Sequence, residues 1–355
     1  MRGIIPGLFY LLTCFYSYGI NAQSELLRKE IDKIIRYEQS IDFAVVPGII
    51  VGIIDGDSTF TYTFGRDINL QGIYEMGSVT KPVVAWLANE ALETLHLNRL
   101  VCVCAFLPDT LCIPWTDLSF DQLIEHKTGL PRLPPGIGEV ESNVTDPYRD
   151  YTIELLARDL KRQQPSPGDY SYSHLGYAMT HWLFEKAGGL HQFTRENLTG
   201  PYGMNDTQWE LSDTAIEQGH GLDGRPQPPW NTNALRTALG LKSSLHDMMI
   251  FMRILFDGYE NNRRTRDPSL LKKELKSLSK TGAYKVVDGW FVINAGKSLV
   301  YYHNGRTGGH HVSIAFTPHL RKGVIVIANG SMGSNDLSLL ILRMINKAKR
   351  TSDVR

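Results

Sequence analysis

Ile73-Tyr74-Glu75-Met76-Gly77-Ser78-Val79-Thr80-Lys81-Pro82-Val83-Val84-Ala85-Trp86-Leu87 carries a short extended run into a helix that reaches Leu95. Val83, Leu87 and Ala91 form its apolar stripe. Ser78 stands at the helix start, where backbone N–H groups lack intrahelical partners and the local field is positive. Lys81 follows one turn later, so its amine faces the serine hydroxyl. Burial on this helix would depress the lysine pKa and let it accept the hydroxyl proton. Ser78 could instead serve only as a helix cap. Two other Ser-x-x-Lys matches, Ser269 with Lys272 and Ser277 with Lys280, share a segment with Lys273 and Lys276 and read as a solvated basic helix face.

Upstream, Leu27, Ile31, Ile34 and Ile35 mark one face of a helix over residues 24–39. Asp55-Gly56-Asp57 separates an apolar run, Ile49 to Ile54, from Thr59 to Phe64, which is a hairpin signal. Downstream, helical patterns cover Ser119 to His126, Thr152 to Arg162, His174 to Ala187 and Ser244 to Phe256, with capping boxes at Ser119/Gln122 and Ser244/Asp247. Long Pro- and Gly-rich loops, Gly129 to Pro147 and Gly221 to Trp230, lie between them, and loops of that length are usually functional. Strand patterns return at Val286 to Ile293, Ser298 to His303, His311 to Phe316 and Gly323 to Ala328, before a closing helix from Asn335 to Ala348. This order predicts an α/β lobe completed by both termini, over about 24–75 and 284–350, and a helical lobe over about 76–283. A single catalytic domain over 23–350, with a tail at 351–355, is expected to hold its site in the cleft between the lobes.

The chain has 355 residues, with Lys+Arg and Asp+Glu both at 37, so no net field attracts nucleic acid or an anionic membrane. Arg2, the apolar run Ile4 to Phe15 and the small and polar residues to Ala22 read as a secretory signal over 1–22. A lipoprotein site at Cys14 is a minor alternative. After cleavage no stretch is long enough to span a membrane, so a secreted or periplasmic protein is expected. Cys102, Cys104 and Cys112 could form one short bridge or remain three thiols. His96 lies near them, but no second ligand pair at zinc spacing follows, and no metal or organic cofactor is expected. Sequons begin at Asn143, Asn197, Asn205 and Asn329. Gly219-x-Gly221-x-x-Gly224 lacks a preceding strand and a following helix and reads as a loop. His181, His220, His310 and His311 read as surface or hydrogen-bonded residues, and Trp86, Trp182 and Trp290 as core. Trp230, in its Pro-rich loop, is a candidate cleft residue.

Two further segments accompany Ser78. Tyr170-Ser171-Tyr172-Ser173-His174-Leu175-Gly176-Tyr177 turns into a helix, and His303-Asn304-Gly305-Arg306-Thr307-Gly308-Gly309-His310 joins two strands. Ser-x-x-Lys, then Tyr-Ser-His, then His-Asn-Gly resembles the three-motif signature of the serine β-lactamase and penicillin-binding protein superfamily. His126-Lys127-Thr128-Gly129-Leu130-Pro131, Pro201-Tyr202-Gly203-Met204 and Gly240-Leu241-Lys242-Ser243-Ser244-Leu245-His246-Asp247-Met248 are similar to further segments of that family. The resemblance runs from about Pro47 to Gly330 and is nearest the class C β-lactamase, D-aminopeptidase and esterase branch. It implies an α/β two-lobe fold, an antiparallel sheet flanked by helices plus a helical lobe.

The resemblance also implies Ser78 as the acylated nucleophile, Lys81 as its base or proton store, and Tyr172 as a phenol whose pKa neighbouring positive charge lowers. Tyr170 is a rival in the same turn. The backbone N–H groups of Ser78 and Arg306 would form the oxyanion hole, and His174, His303, Asn304, Gly305 and Arg306 would face the substrate. His174 stands where the family usually has Asn, and neutral imidazole can likewise accept one hydrogen bond and donate one. His303 stands where many relatives have Lys, which leaves Arg306 as the candidate carboxylate clamp. The resulting expectation is a serine hydrolase that forms an acyl-enzyme on an ester or amide of a small molecule or peptide. Esterase or D-amino-acid peptidase action outranks β-lactamase action, and a catalytically silent binder of peptide or cell-wall fragments is the rival. Nucleic acid is not an expected partner, and oligomeric state is not readable.

Overall fold

The computed structural model describes residues 24–38, 41–139, 144–168, 170–260, 284–296, 298–333 and 335–347. The expected signal over 1–22, Cys14, Asn143, the Ser269 and Ser277 matches and the tail at 351–355 lie outside the described residues. Residues 24–37 form helix α1. The β-branched run forms β1 (Gly48–Asp55), which turns through Gly56-Asp57 into β2 (Ser58–Gly65). A short strand, β3 (Ile73–Glu75), leads to α2 (Thr80–Thr94).

The helical segments that follow include α3 (Phe120–Ile124), α4 (Ile153–Arg162), α5 (His174–Ala178) and α6 (Arg236–Leu239). Both halves of the capping box form at Ser119 and Gln122. Next, β4 (Lys242–Ser244) pairs with β3 and runs into α7 (Leu245–Glu260), where Asp247 N–H donates to Ser244 Oγ at 3.2 Å. The candidate dinucleotide fingerprint is a two-residue ribbon, Gly219–His220 against Pro226–Gln227.

The strand expected over Val286 to Ile293 is two strands, β5 (Lys285–Val287) and β6 (Trp290–Ala295). Asp288 and Gly289 take φ of +48° and +77°, the left-handed pair that closes a two-residue hairpin and that Asp-Gly suits. Apolar residues on both sides of the turn hide it in the sequence. The chain continues through β7 (Ser298–Arg306), β8 (His311–Thr317) and β9 (Lys322–Ala328) to α8 (Leu337–Lys347). The main sheet is antiparallel, in the order β2-β1-β9-β8-β7-β6-β5, so the two ends of the chain meet at the β1–β9 pair.

Both faces of this sheet are covered. Ile49, Val51 and Ile53 of β1 pack with α1 and α8, whereas Ile50 and Ile54 pack toward the helical lobe. Val324 and Val326 of β9 take the first face, and Ile325 and Ile327 the second. Double burial explains why these strands read as continuous apolar runs. Cys104 and Cys112 form a disulfide with Cα atoms 5.0 Å apart, and Cys102 is free. The Asn329 sequon is no glycan acceptor here: its side chain is buried, accepting from Gly48 N–H and donating to Asp67 O. Among the described residues no helix is long and apolar enough to cross a membrane.

Ile327 is fully buried between sheet and helical lobe. Truncation there is expected to cost about 2–5 kcal/mol of unfolding free energy. The exposed Thr61→Ala in β2 is expected to change it by less than about 0.5 kcal/mol, and urea denaturation of Ile327→Ala and Thr61→Ala measures the contrast.

Candidate active site

The helix expected from Ser78 begins with one 3-10 turn, Gly77–Val79, before α2. Gly77 has φ of +51°, and a Cβ there would lie 2.8 Å from Arg306 N. From the other side, a Cβ on Gly305 would lie 2.8 Å from Ser78 N. Two glycines therefore let the end of β7 lie directly on the turn that carries Ser78.

The third motif, expected as a connection, is the last part of β7, and only Thr307 to His310 form the turn. Thr307 N–H donates to His310 O, so the alternation of an antiparallel ladder turns the Arg306 N–H away from β8. On that side β6 pairs with β7 only as far as Phe291 opposite Tyr302. The Arg306 N–H is thus left off the ladder, beside the Ser78 N–H at its helix start.

Lys81 is fully buried. Its Nζ lies 3.2 Å from Ser78 Oγ, 2.9 Å from His174 Nδ1 and 2.8 Å from Ala238 O of α6. Burial, and then the charge of Arg132, hold its pKa well below the ordinary lysine value. An uncharged amine has two N–H bonds and one lone pair. Ala238 O can only accept and takes one N–H. If His174 carries its proton on Nε2, its Nδ1 takes the other, and the lone pair is left for the Ser78 hydroxyl. His174 is buried, and burial, then Lys81 and Arg132, keep its pKa well below the free imidazole value. Imidazole thus supplies the acceptor that the family's Asn would supply.

Tyr172 is hydrogen-bonded to Ser78, and its ring centroid lies 4.9 Å from Lys81 Nζ and 5.1 Å from Arg132 Cζ. The expected lowering of its pKa does not occur. Burial outweighs the Ser78 bond and the Arg132 charge and pushes the phenol up to about 12. Tyr170 is 40% exposed, packs edge-on against His126 and Tyr284, and lines the outer cleft.

The segments around these groups hold one another. Ser173 N–H donates to His126 Nδ1 at 3.1 Å, its hydroxyl donates to Pro131 O at 2.7 Å, and His174 N–H donates to Arg132 O at 2.8 Å. Glu75 is buried and binds Thr307 Oγ1, His310 Nδ1 and Trp230 N–H at 2.8, 3.1 and 2.7 Å. Burial alone would raise its pKa, but the bonds from His310, Trp230 and Thr307 hold it below the ordinary value.

The cleft over Ser78 has a volume of about 670 Å³, and Tyr172, His174, His303, Asn304 and Arg306 line it. Gly305 lies behind it, under Ser78. Asn304 donates to Asn335 Oδ1 at 2.7 Å, while the Arg306 side chain is exposed. His303 is buried, stacks on Phe291 at 5.0 Å, and donates from Nδ1 to Asn304 O at 2.7 Å. Burial, and then Lys81, push its pKa down to about 3, so it is not a charge substitute for lysine.

Arg132, Tyr148, Phe291 and Asn335 also line the cleft, and Trp230 does so as its loop suggested. Arg132 lies in the Gly129 to Pro147 loop that reads as functional, but nothing in a loop sequence shows which way an arginine turns. Trp86 and Trp290 are core, and Trp182 packs partly buried against it. His181 lies 3.9 Å from Glu185 Oε1, His220 meets Asn329 O and His311 meets Asn335 Oδ1. Among the described residues no group of three or more His, Cys, Asp or Glu side chains is placed to hold a metal ion.

The sequence model of the beta-lactamase family matches residues 36–344. The chain belongs to this family. Its relatives within the beta-lactamase family include the D-alanyl-D-alanine-carboxypeptidase/endopeptidase AmpH of Escherichia coli K12, 23% identical over 93% of this chain and 95% of that one. The unguisins hydrolase ungD' of Aspergillus campestris is 23% identical over 87% of this chain. The chain spans only 64% of that hydrolase's length. The beta-lactamase family fold is shared by the solved β-lactamase/D-alanine carboxypeptidase from Yersinia pestis complexed with citrate, with a TM-score of 0.70, 17% identity, and coverage of 92% of this chain and 98% of that one.

For an uncharged ester, kcat/KM is expected to stay level through neutral pH and to fall only on the acid side, below about pH 6.5, the free imidazole value. Protonating His174 removes the acceptor for Lys81 and adds a charge beside it, so the limb belongs to the pair. His174→Asn is expected to move the limb to lower pH while retaining activity. An unmoved limb in an active His174→Asn enzyme assigns the titration elsewhere.

Proposed function

We propose that this chain is an exported serine hydrolase that forms an acyl-enzyme at Ser78 from an ester or amide substrate. The observation that carries this reading is the buried Lys81 amine, 3.2 Å from Ser78 Oγ and supplied with acceptors for its own protons. The Ser78 proton passes to the Lys81 lone pair as Oγ attacks the carbonyl carbon. The carbonyl oxygen becomes an oxyanion between the N–H groups of Ser78 and Arg306. As the intermediate collapses, Tyr172 gives its proton to the leaving group and regains one from the Lys81 side. Its high pKa keeps the proton on the phenol until a leaving group needs it. Water then takes the place of the leaving group, and the same groups run in reverse to free Ser78.

Esters and D-amino-acid peptides are the preferred substrates, with β-lactams less favoured. Uncharged His303 attracts a carboxylate less than lysine would, and leaves anions to the exposed guanidinium of Arg306. Arg132 adds a second positive charge to the same cleft. One relative is named a carboxypeptidase/endopeptidase and another a hydrolase, which agrees with a hydrolytic reading. Export is supported by the N-terminal apolar run and by the Cys104–Cys112 disulfide, a bond that persists in oxidising compartments.

A serine-directed fluorophosphonate is expected to add one label, at Ser78 by peptide mapping, and Ser78→Ala to lose both label and at least about a thousandfold in kcat. Labelling elsewhere with full activity in Ser78→Ala overturns the assignment. Short acyl esters are expected to turn over faster than penicillins. Arg306→Ala is expected to slow carboxylate-bearing esters about tenfold more than neutral ones, the scale of one charge-assisted hydrogen bond.

A further inference from the structure

At one end of the cleft the two lobes touch through aromatic rings that acyl transfer at Ser78 does not use. Tyr170 comes from the helical lobe, two residues before Tyr172, and Tyr284 from the sheet lobe, directly before β5. Their ring centroids lie 5.8 Å apart with planes at 90°. Both pack on Phe291 of β6, at 6.5 and 4.9 Å and again edge-on. Edge-on contact at such separations is a preferred aromatic geometry, so the three rings hold one another in place. All three line the cleft, and Tyr170 and Tyr284 are 40% and 45% exposed, which puts them at its surface rather than in the core. The register of β7 orders the cleft around them. Phe291 pairs with Tyr302, Gly305 lies under Ser78, and a Cβ on Gly308 would come 2.8 Å from Nε1 of Trp230. The aromatic corner, Ser78 and Trp230 thus follow one another at intervals of three residues, the first of them about 10 Å of strand.

Tyr172 stands between Ser78 and this corner, hydrogen-bonded to the serine and with its ring near-parallel to Phe291 at 6.5 Å. In the mechanism above Tyr172 hands its proton to the leaving group, so the leaving group departs toward the corner and the acyl chain extends toward Trp230. We propose that Tyr170 and Tyr284, braced on Phe291, form a stop that sets the size of the leaving group, so that the substrate presents a compact alcohol or amine at that end and carries its bulk on the acyl side. This rests on the acyl-enzyme reading above and narrows it. Rings in contact from opposite lobes leave no gap through which a longer leaving group could pass.

The test compares kcat/KM for phenyl acetate and 4-biphenylyl acetate, which differ in the leaving phenol, and for phenyl acetate and phenyl octanoate, which differ in the acyl chain. The wild-type enzyme is expected to favour phenyl over biphenylyl acetate about tenfold, the scale on which a packed apolar pocket discriminates by size. Tyr170→Ala combined with Tyr284→Ala is expected to bring that ratio within about twofold and to leave the octanoate-to-acetate ratio in place. Tyr170→Phe with Tyr284→Phe keeps the rings and is expected to keep the wild-type ratio. Both acetates give the same acetyl-enzyme, so the discrimination is expected in its formation and not in its hydrolysis, which pre-steady-state kinetics separate. Labelling of Ser78 by the fluorophosphonate shows that a variant is folded, and Tyr284→Ala alone, at a half-exposed position, is expected to shift the ratio in the same direction. Equal rates on the two acetates in the wild-type enzyme, an unmoved ratio in a labelled Ala variant, or the same gain on phenyl octanoate as on biphenylyl acetate overturns the assignment and leaves acyl transfer at Ser78 intact. Hydrolysis of no ester, with no label at Ser78, overturns both.

Discussion

An amine held out of water is the constraint on which this structure depends. Lys81 is buried where an ammonium would be strongly disfavoured, and its hydrogen-bond partners, a hydroxyl, an imidazole and a backbone carbonyl, are all uncharged. Those groups come from places far apart in the chain: Ser78 one turn back, His174 at the start of α5, and Ala238 in α6. The helical lobe must close for the amine to lose its solvent. The environment proposed to make Ser78 reactive is therefore a property of the packed lobe rather than of four consecutive residues.

The second element is the meeting of β7 with the nucleophile turn. Gly77 and Gly305 remove the side chains that would hold the two backbones apart, and Glu75 fixes their register by gripping Thr307 and His310 beyond the strand end. The same carboxylate holds Trp230 N–H, so one buried residue sets the proposed oxyanion donors and one wall of the cleft together. Rigid support of this kind allows backbone dipoles to act without reorganising during the reaction.

Much of this was legible in the sequence where a local rule applies. The β1–β2 hairpin, the Ser119 capping box and the apolar stripe of α2 follow from periodicity and turn chemistry. Three ordered motifs gave Ser78, Lys81, Tyr172, His174 and His303 as neighbours, and they are neighbours. What escaped depends on burial and direction. The phenol of Tyr172 was expected to be acidified by nearby cations, yet desolvation, invisible in a sequence, dominates. Arg132 sits in a loop whose composition does not tell which way it turns. The hairpin at Asp288-Gly289 was hidden by an unbroken apolar run on a sheet buried on both faces.

The closing of the sheet by the two ends of the chain also sets a schedule. β1 hydrogen-bonds to β2 within a few residues, but its other edge, from Ile49 to Asp55, must wait for Lys322 to Ala328 to leave the ribosome. Until then the nascent hairpin offers an unpaired strand edge, apolar from Ile49 to Ile54, the kind of surface that seeks other chains. Completion of the sheet thus waits until residues 322–328 have been made. Such a delay would make the early hairpin a natural client for holding chaperones.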